Sequence, residues 1–453
     1  MRMKFSRSSQ RSQNQSGTIA EPQELSRRDQ EGTATLKAAK NGYIHSGFAL
    51  VLVAAAGLLV ATLVTACETL TVDFVFVACS KAAGTNNYGE LDVFEINSES
   101  GRMRQIPTSP FPSGGRDPVA EAVSADYQNL FVVNQDDNTI VQFVIGSDGK
   151  LYPFNTVNTP GIYPLAIAAN KSNVFVVDTY QPLPLCSTAD PCPGSIAVFP
   201  LTAGGSSTCA ASVCLGTAAT NTAINRQYWP LTLSGAKSPD VIVPTAVNVL
   251  GSGSYVYVTA YDSSVTPSAG YVFGFSVGAG GVLTPLSGSP YAAGVQPSAI
   301  VSDPTSTYVY VTDFASGNVR GYTVASGNLT PLAGSPFQAG NQPTAVVVDP
   351  SYPYAYVANS LDSTVTAYSI SSGALTSIGT YATGLQPVAM GIDPSTNHFL
   401  YTANFLGSTV SGFELSPTAG TLLVSQYSPY ATNAEPVAVA AVPHNGTGAG
   451  VQQ

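Results

Sequence analysis

Charge is scarce in this sequence. Only 10% of its 453 residues are Asp, Glu, Lys or Arg. Long helical proteins and coiled coils draw far more heavily on Glu, Lys, Ala and Leu, so those classes are excluded. What charge there is leans acidic, with a net value of −10. That argues against a nucleic-acid partner, because phosphate contacts need a basic face. Histidine is almost missing. His45, His398 and His444 are the three, and no Ser-His-Asp arrangement can be built from them. No Gly-rich phosphate loop and no metalloprotease helix motif occurs. Glycine and proline, by contrast, are abundant at 42 and 32 residues. They suit many short strands punctuated by tight turns.

The charges are also unevenly placed. Residues 1–46 carry eight Lys/Arg and four Asp/Glu, or +4; the remainder carries nine and 23, or −14. The basic leader, expected to be disordered, precedes the one long apolar run, Gly47 to Ala66. Twenty residues without a charge can cross a hydrocarbon core of roughly 30 Å. The positive-inside rule keeps the leader in the cytoplasm and places everything after residue 66 outside it, in the cell envelope. The run ends Leu63-Val64-Thr65-Ala66-Cys67. Small residues before a Cys resemble the lipobox of bacterial lipoproteins, which would make Cys67 the lipidated first residue of the mature chain. An uncleaved signal anchor over 47–67 is the other reading, since the leader is long for a signal peptide. Both tether the chain to a membrane through its N-terminus.

After residue 70 one unit repeats seven times. Half of it is a Pro, a variable residue, usually an Ala, and an apolar stretch, at Pro118, Pro164, Pro244, Pro297, Pro343, Pro387 and Pro436. These segments are apolar almost throughout, as expected for strands buried on both faces. Several end in Asp-Pro, which starts a tight turn. The second half alternates aromatics, as in Tyr308-Val309-Tyr310-Val311-Thr312-Asp313 and Tyr354-Ala355-Tyr356-Val357-Ala358-Asn359. A third strand follows, and a fourth leads into Ser-Pro-aromatic at Ser109, Ser289, Ser335 and Ser428. Four short strands in roughly 45 residues match one propeller blade. With strands a to d counted from the axis outward and the Pro strand as a, the chain begins at strand b near Thr71 and ends on a lone strand a, Pro436 to Val442. That last strand is expected to complete the first blade and close the ring over residues 71–443, leaving 444–453 as a disordered tail.

The Tyr-Val-Thr-Asp and Tyr-Val-Ala-Asn strands, with the Pro-x-Ala strands, resemble YVTN-type repeats. Seven blades closed in this way resemble the lactonase family, similar to propeller-type bacterial 6-phosphogluconolactonase. The resemblance implies an all-β, seven-bladed propeller of four-stranded blades and a sugar lactone as substrate. No cofactor is expected. A cycloisomerase relative's His, Arg and Glu set has no match here. WD40 repeats need Trp-Asp in most blades, and the single Trp229 precedes a Pro. Kelch blades need paired glycines where these have Asn or Asp.

The third unit is enlarged: Pro164 and Pro244 are 80 residues apart, against 44 to 53 elsewhere. It holds Cys186, Cys192, Cys209 and Cys214. The first two fall between strands b and c, the second two between c and d, and those loops leave a blade on opposite faces. Local disulfides, Cys186–Cys192 and Cys209–Cys214, are therefore expected in an oxidising compartment. Zinc is the alternative, but it needs all four ligands together, so no metal is expected. Cys79 is expected to be a free, buried thiol.

Loops d-to-a and b-to-c should open on one face. The residues before each Pro then ring the channel mouth: Asp117, Tyr163, Val243, Gln296, Gln342, Gln386 and Glu435. Strand-b ends add Asn134, Asp178, Asp313, Asn359 and Asn404. Polar groups converging on a concave mouth make the default ligand site. The same Asn and Asp also serve ordinarily to bond turn backbones. Arg116 would hold a carboxylate or phosphate, and Asp117 or Glu435 would activate water. A small lactone or sugar-like ligand and a lactonase reaction stand as one reading. A non-catalytic envelope propeller, monomeric and binding a ligand or a partner protein, stands as the other.

Overall fold

The computed structural model describes residues 71–81, 88–97, 100–182, 192–205, 209–233, 241–394 and 399–443. All belong to the compact unit Thr69–Gln453. The leader, the run Gly47–Ala66, Cys67, Cys186, the tail and all three histidines lie outside the described residues.

The described chain folds into seven antiparallel sheets. The fifth is representative: strand a is Pro297–Ser302, b is Tyr308–Asp313, c is Asn318–Ala325, and d is Asn328–Pro331. Burial grades along this order. The b strands Asn129–Asn134, Tyr354–Asn359 and Phe399–Asn404 are buried at every residue. Their runs of aliphatic and aromatic side chains face the neighbouring blades on both sides, so neither face meets water. Each a strand packs against the a strands of the blades before and after it, and the seven form a closed ring around the axis.

The final strand, Pro436–Pro443, pairs with Thr71–Cys79, placing Phe74 opposite Val442 and Val77 opposite Val439. The expected closure of the first blade is what the structure has. In every a strand the register slips just after the proline, as between Pro297 and Ala299. A bulge there bends the strand into the channel wall.

Two repeated side chains explain motifs that periodicity alone leaves unread. In five blades strand d is interrupted, and a short second piece pairs separately with strand c. The Ser-Pro pair lies at this break in four of them. The serine hydroxyl accepts the strand-c amide that the break exposes: Val93 to Ser109 at 2.9 Å, Gly274 to Ser289 at 2.9 Å, Gly321 to Ser335 at 3.0 Å and Gly412 to Ser428 at 2.9 Å. A buried amide without a partner is costly, and the serine removes that cost. The second device is the strand-b tyrosine. Tyr257, Tyr310 and Tyr356 donate to the carbonyls of Gly327, Gly373 and Gly420 in the next blade, at 2.7, 2.9 and 3.2 Å. These three tyrosines fill the space between blades and also pin one blade to the next.

The enlarged third blade carries the Cys209–Cys214 disulfide between strand c and strand d, with Cα atoms 5.8 Å apart. Cys192 is also disulfide-bonded; its expected partner Cys186 lies outside the described residues. Cys79 is free and buried. Among the described residues no His, Cys, Asp and Glu group could hold a metal ion, and no helix is long and apolar enough to cross a membrane.

Candidate functional site

The expected mouth assembles as the antiparallel topology requires. The residue after strand b donates its amide to the carbonyl of the pre-proline residue. This bond recurs as Gln135 to Asp117, Phe314 to Gln296, Ser360 to Gln342 and Phe405 to Gln386, each at 2.9 Å, and as Ser80 to Glu435 at 3.0 Å. Asp117, Tyr163, Gln342, Gln386 and Glu435 take the left-handed backbone region, with φ between 53° and 61°. This tight turn fixes where each mouth side chain starts.

The strand-b Asx residues do not present themselves to a ligand. Asn134, Asp178, Asp313, Asn359 and Asn404 all have 0% exposure. They bond the loops around them. Asp313 accepts the amides of Val295 at 2.9 Å and Gln296 at 3.0 Å. Asn359 accepts Gly340 at 2.9 Å and donates to Thr366. Asn404 donates to Thr409 and Ser411, and Asn134 donates to the Ser113 carbonyl. Asp178 accepts Gly161 at 3.2 Å. Burial pushes the Asp178 carboxyl up to about 7, against the opposing hydrogen bonds from Thr159 and Gly161. Gln386 is also buried, whereas Gln296 and Gln342 are half-buried at the rim.

The charged candidates are more accessible, and each is already paired. Arg116 is exposed; its Nε donates to Asp137 Oδ1 at 2.7 Å, and a terminal nitrogen reaches the Asp136 carbonyl at 3.2 Å. The hydrogen bond and charge of Asp137 raise the Arg116 pKa further. Burial works against the Asp137 carboxylate, but Arg116 outweighs it and holds the group below the usual range. Glu435 forms an ion pair with Lys81 and accepts the Ser80 hydroxyl at 3.2 Å. Lys81 and Asp137 were not among the sequence candidates. They sit beyond the ends of their b strands, where only the fold brings them to the pre-proline residues. Tyr163 is exposed and meets Tyr180 edge-on at 6.1 Å between ring centres. Both of these ion pairs belong to the first blade or its junction with the second.

A cavity of about 210 Å³ lies in the other half of the channel, where the a strands end. It is walled by the fourth residue of each Pro segment: Ile167, Val247, Ile300, Val346, Met390, Val439 and, in the second blade, Glu121. The expectation of a concave site at the pre-proline end did not include this region. Lining up the seven Pro segments would have exposed the odd residue, because six copies carry Val, Ile or Met there and one carries Glu. Both Glu121 oxygens are buried without a hydrogen bond of ordinary geometry. Burial lifts its pKa to about 8, opposed by the nearby Ala440 amide.

Residues 216–437 match the family model described as lactonase, 7-bladed beta-propeller. No curated protein matches the chain. Among solved structures, a candidate 6-phosphogluconolactonase of Bacteroides fragilis superposes with a TM-score of 0.64 at 19% identity, covering 83% of this chain and 99% of that one. A periplasmic gluconolactonase of Pseudomonas aeruginosa superposes with a TM-score of 0.60 at 18% identity, covering 82% and 99%. At such identities the likeness is one of fold.

Proposed function

We propose that this chain, which belongs to the lactonase family of seven-bladed β-propellers, hydrolyses a lactone of a sugar acid at the face where its Pro strands begin. The family match over residues 216–437 is the observation that carries the reading. Water adds to the lactone carbonyl, the ring C–O bond breaks, and the product is a hydroxy acid. Glu435 is the base that takes the water proton and returns it to the departing ring oxygen. Arg116 and Lys81 face the charge that develops on the carbonyl oxygen. Their pairs with Asp137 and Glu435 are exposed or part-exposed, and solvent-screened pairs of that kind hold weakly, so a ligand can replace them. Asp117 sits beside Arg116 and shapes the same rim. The neighbour from Pseudomonas aeruginosa is described as periplasmic, which accords with a domain held outside the cytoplasm through Cys67 or the preceding apolar run.

The test is lactone hydrolysis by purified residues 69–453, followed as acid release over a panel of aldonolactones. Turnover that falls on the order of a hundredfold in Glu435→Gln supports the assignment of the base. Hydrolysis unaffected by Glu435→Gln and Arg116→Ala would move the site elsewhere. The pairing of both groups favours a second reading, a propeller that binds its ligand or an envelope partner without chemistry; saturable binding with no hydrolysis would establish it. For the tether, Cys67→Ala should release the protein from the membrane fraction. Retention with the leader still attached would identify an uncleaved anchor.

A further inference from the structure

The channel cavity at the far end of the a strands belongs to no part of the proposed reaction. Its walls are apolar in six blades and acidic in one. Valine, isoleucine or methionine satisfies the structural need at this position, as the other blades demonstrate. A carboxyl there gains little internally, since neither Glu121 oxygen has a hydrogen bond of ordinary geometry and only the nearby Ala440 amide opposes its burial. Burying such a group unpaired is destabilising. A second orphan lies in the same cavity. Asn248, on the fourth blade's a strand, lines it and is 4% exposed, and its Oδ1 accepts no hydrogen bond. The cavity thus has apolar walls interrupted by Glu121 and Asn248, with no Lys or Arg among its lining residues. The titratable groups facing Glu121 are the buried Cys79 thiol on the first blade's b strand and Tyr127, which lines the cavity from the second blade's a-to-b turn. Neither supplies a positive charge.

We infer that this cavity is a binding site for a small organic cation, an ammonium on an apolar body, with Glu121 as its counter-ion and the Asn248 oxygen as an additional acceptor. An ammonium provides three donors and the missing positive charge, while the ring of Ile167, Val247, Ile300, Val346, Met390 and Val439 takes the apolar part. Glu121 lines the cavity next to the first blade's closing strand, where its carboxyl lies near the Ala440 amide. The acidic balance of residues 47–453, nine basic against 23 acidic groups, favours the approach of a cation. Because Glu121 is mostly protonated at neutral pH, binding of an already protonated amine expels one proton from the carboxyl to the buffer.

The test is calorimetric titration of the full chain with n-hexylammonium and with n-hexanol, a neutral probe of the same length. The ammonium should saturate one site, the alcohol should bind on the order of tenfold more weakly, and the heat should depend on the buffer's ionisation enthalpy in the sense of proton release. Glu121→Gln keeps the shape and should erase the preference. Glu121→Val, the residue type used in other blades, should erase it as well while raising the melting temperature, which separates loss of binding from loss of fold. Equal binding of the two probes overturns the proposal, as does a preference that survives both substitutions. Absence of binding by either probe also overturns it and leaves the cavity a water-filled channel.

Discussion

At the scale of single residues, the tyrosines separate packing from hydrogen bonding. Tyr310 donates to Gly373 across the blade interface, whereas the Tyr401 hydroxyl is buried without a partner. Replacing Tyr310 by Phe leaves the Gly373 carbonyl unsatisfied, so unfolding by urea should show a loss of about 1–2 kcal/mol. Tyr401→Phe removes an unpaired polar atom and should be neutral or stabilising. An equal loss in both would refute this account. The buried acids make a pH prediction with a definite sign. Burial holds Glu121 at about 8 from 4.5 and Asp178 at about 7 from 3.8. Across those intervals the folded state keeps protons that the unfolded state has released. Stability therefore declines as pH rises from about 4 toward about 8 and levels off above that. Urea midpoints that climb over this window would contradict it. The Asx residues show how far single positions can be read. Their place at strand ends was evident from the repeat, but whether Asn359 faces ligand or the Gly340 amide depends on the path of the loop that leads into Pro343 of the same blade.

At the scale of elements, the blade is a sheet whose outer strand is broken and repaired. Ser335 accepts the Gly321 amide where strand d is interrupted. Ser335→Ala leaves that amide bare and should cost about 1 kcal/mol, with the melting temperature as the readout; Ser335→Thr, which keeps the hydroxyl, should cost less. Gly294 is held by a different constraint. Its φ is 90°, and a Cβ would lie 2.0 Å from Asp313 Oδ2 and 2.7 Å from Arg320 Nε. Gly294→Ala should therefore exceed the usual left-handed penalty of about 1 kcal/mol and loosen the turn leading into Pro297. The strand order within each blade was legible because apolar, aromatic and Ser-Pro segments recur in a constant sequence. The breaks in strand d were not, because a two-residue strand such as Phe337–Gln338 has too few side chains to show a period.

At the scale of the whole molecule, stability depends on closing a ring. Pro436–Pro443 is the inner strand of the first blade, and without it Thr71–Cys79 becomes an exposed inner edge while the second and seventh blades lose the neighbour between them. Truncation after Glu435 should abolish cooperative unfolding and promote association through the open edge. A monomeric truncated protein with an unchanged melting temperature would show that the ring does not need its closure. The same closure brings Lys81 and Ser80, near the start of the propeller, to Glu435 near its end.

The sequence by itself determined the blade count, the order of strands, the permuted closure and the local Cys209–Cys214 bridge. Each follows from a pattern repeated at short range: a Pro segment, an alternating strand, a turn, or a pair of cysteines five residues apart. Tertiary structure alone decided which polar groups are consumed internally and which remain available. Asn359 and Asn404 face their own blades' loops and strands, Glu435 meets Lys81 across the ring's seam, and Glu121 takes the place in the channel wall that Val, Ile or Met fills in the six other blades. Those outcomes depend on which strands meet around the axis, and burial sets the charge of a carboxyl only after the whole ring has closed.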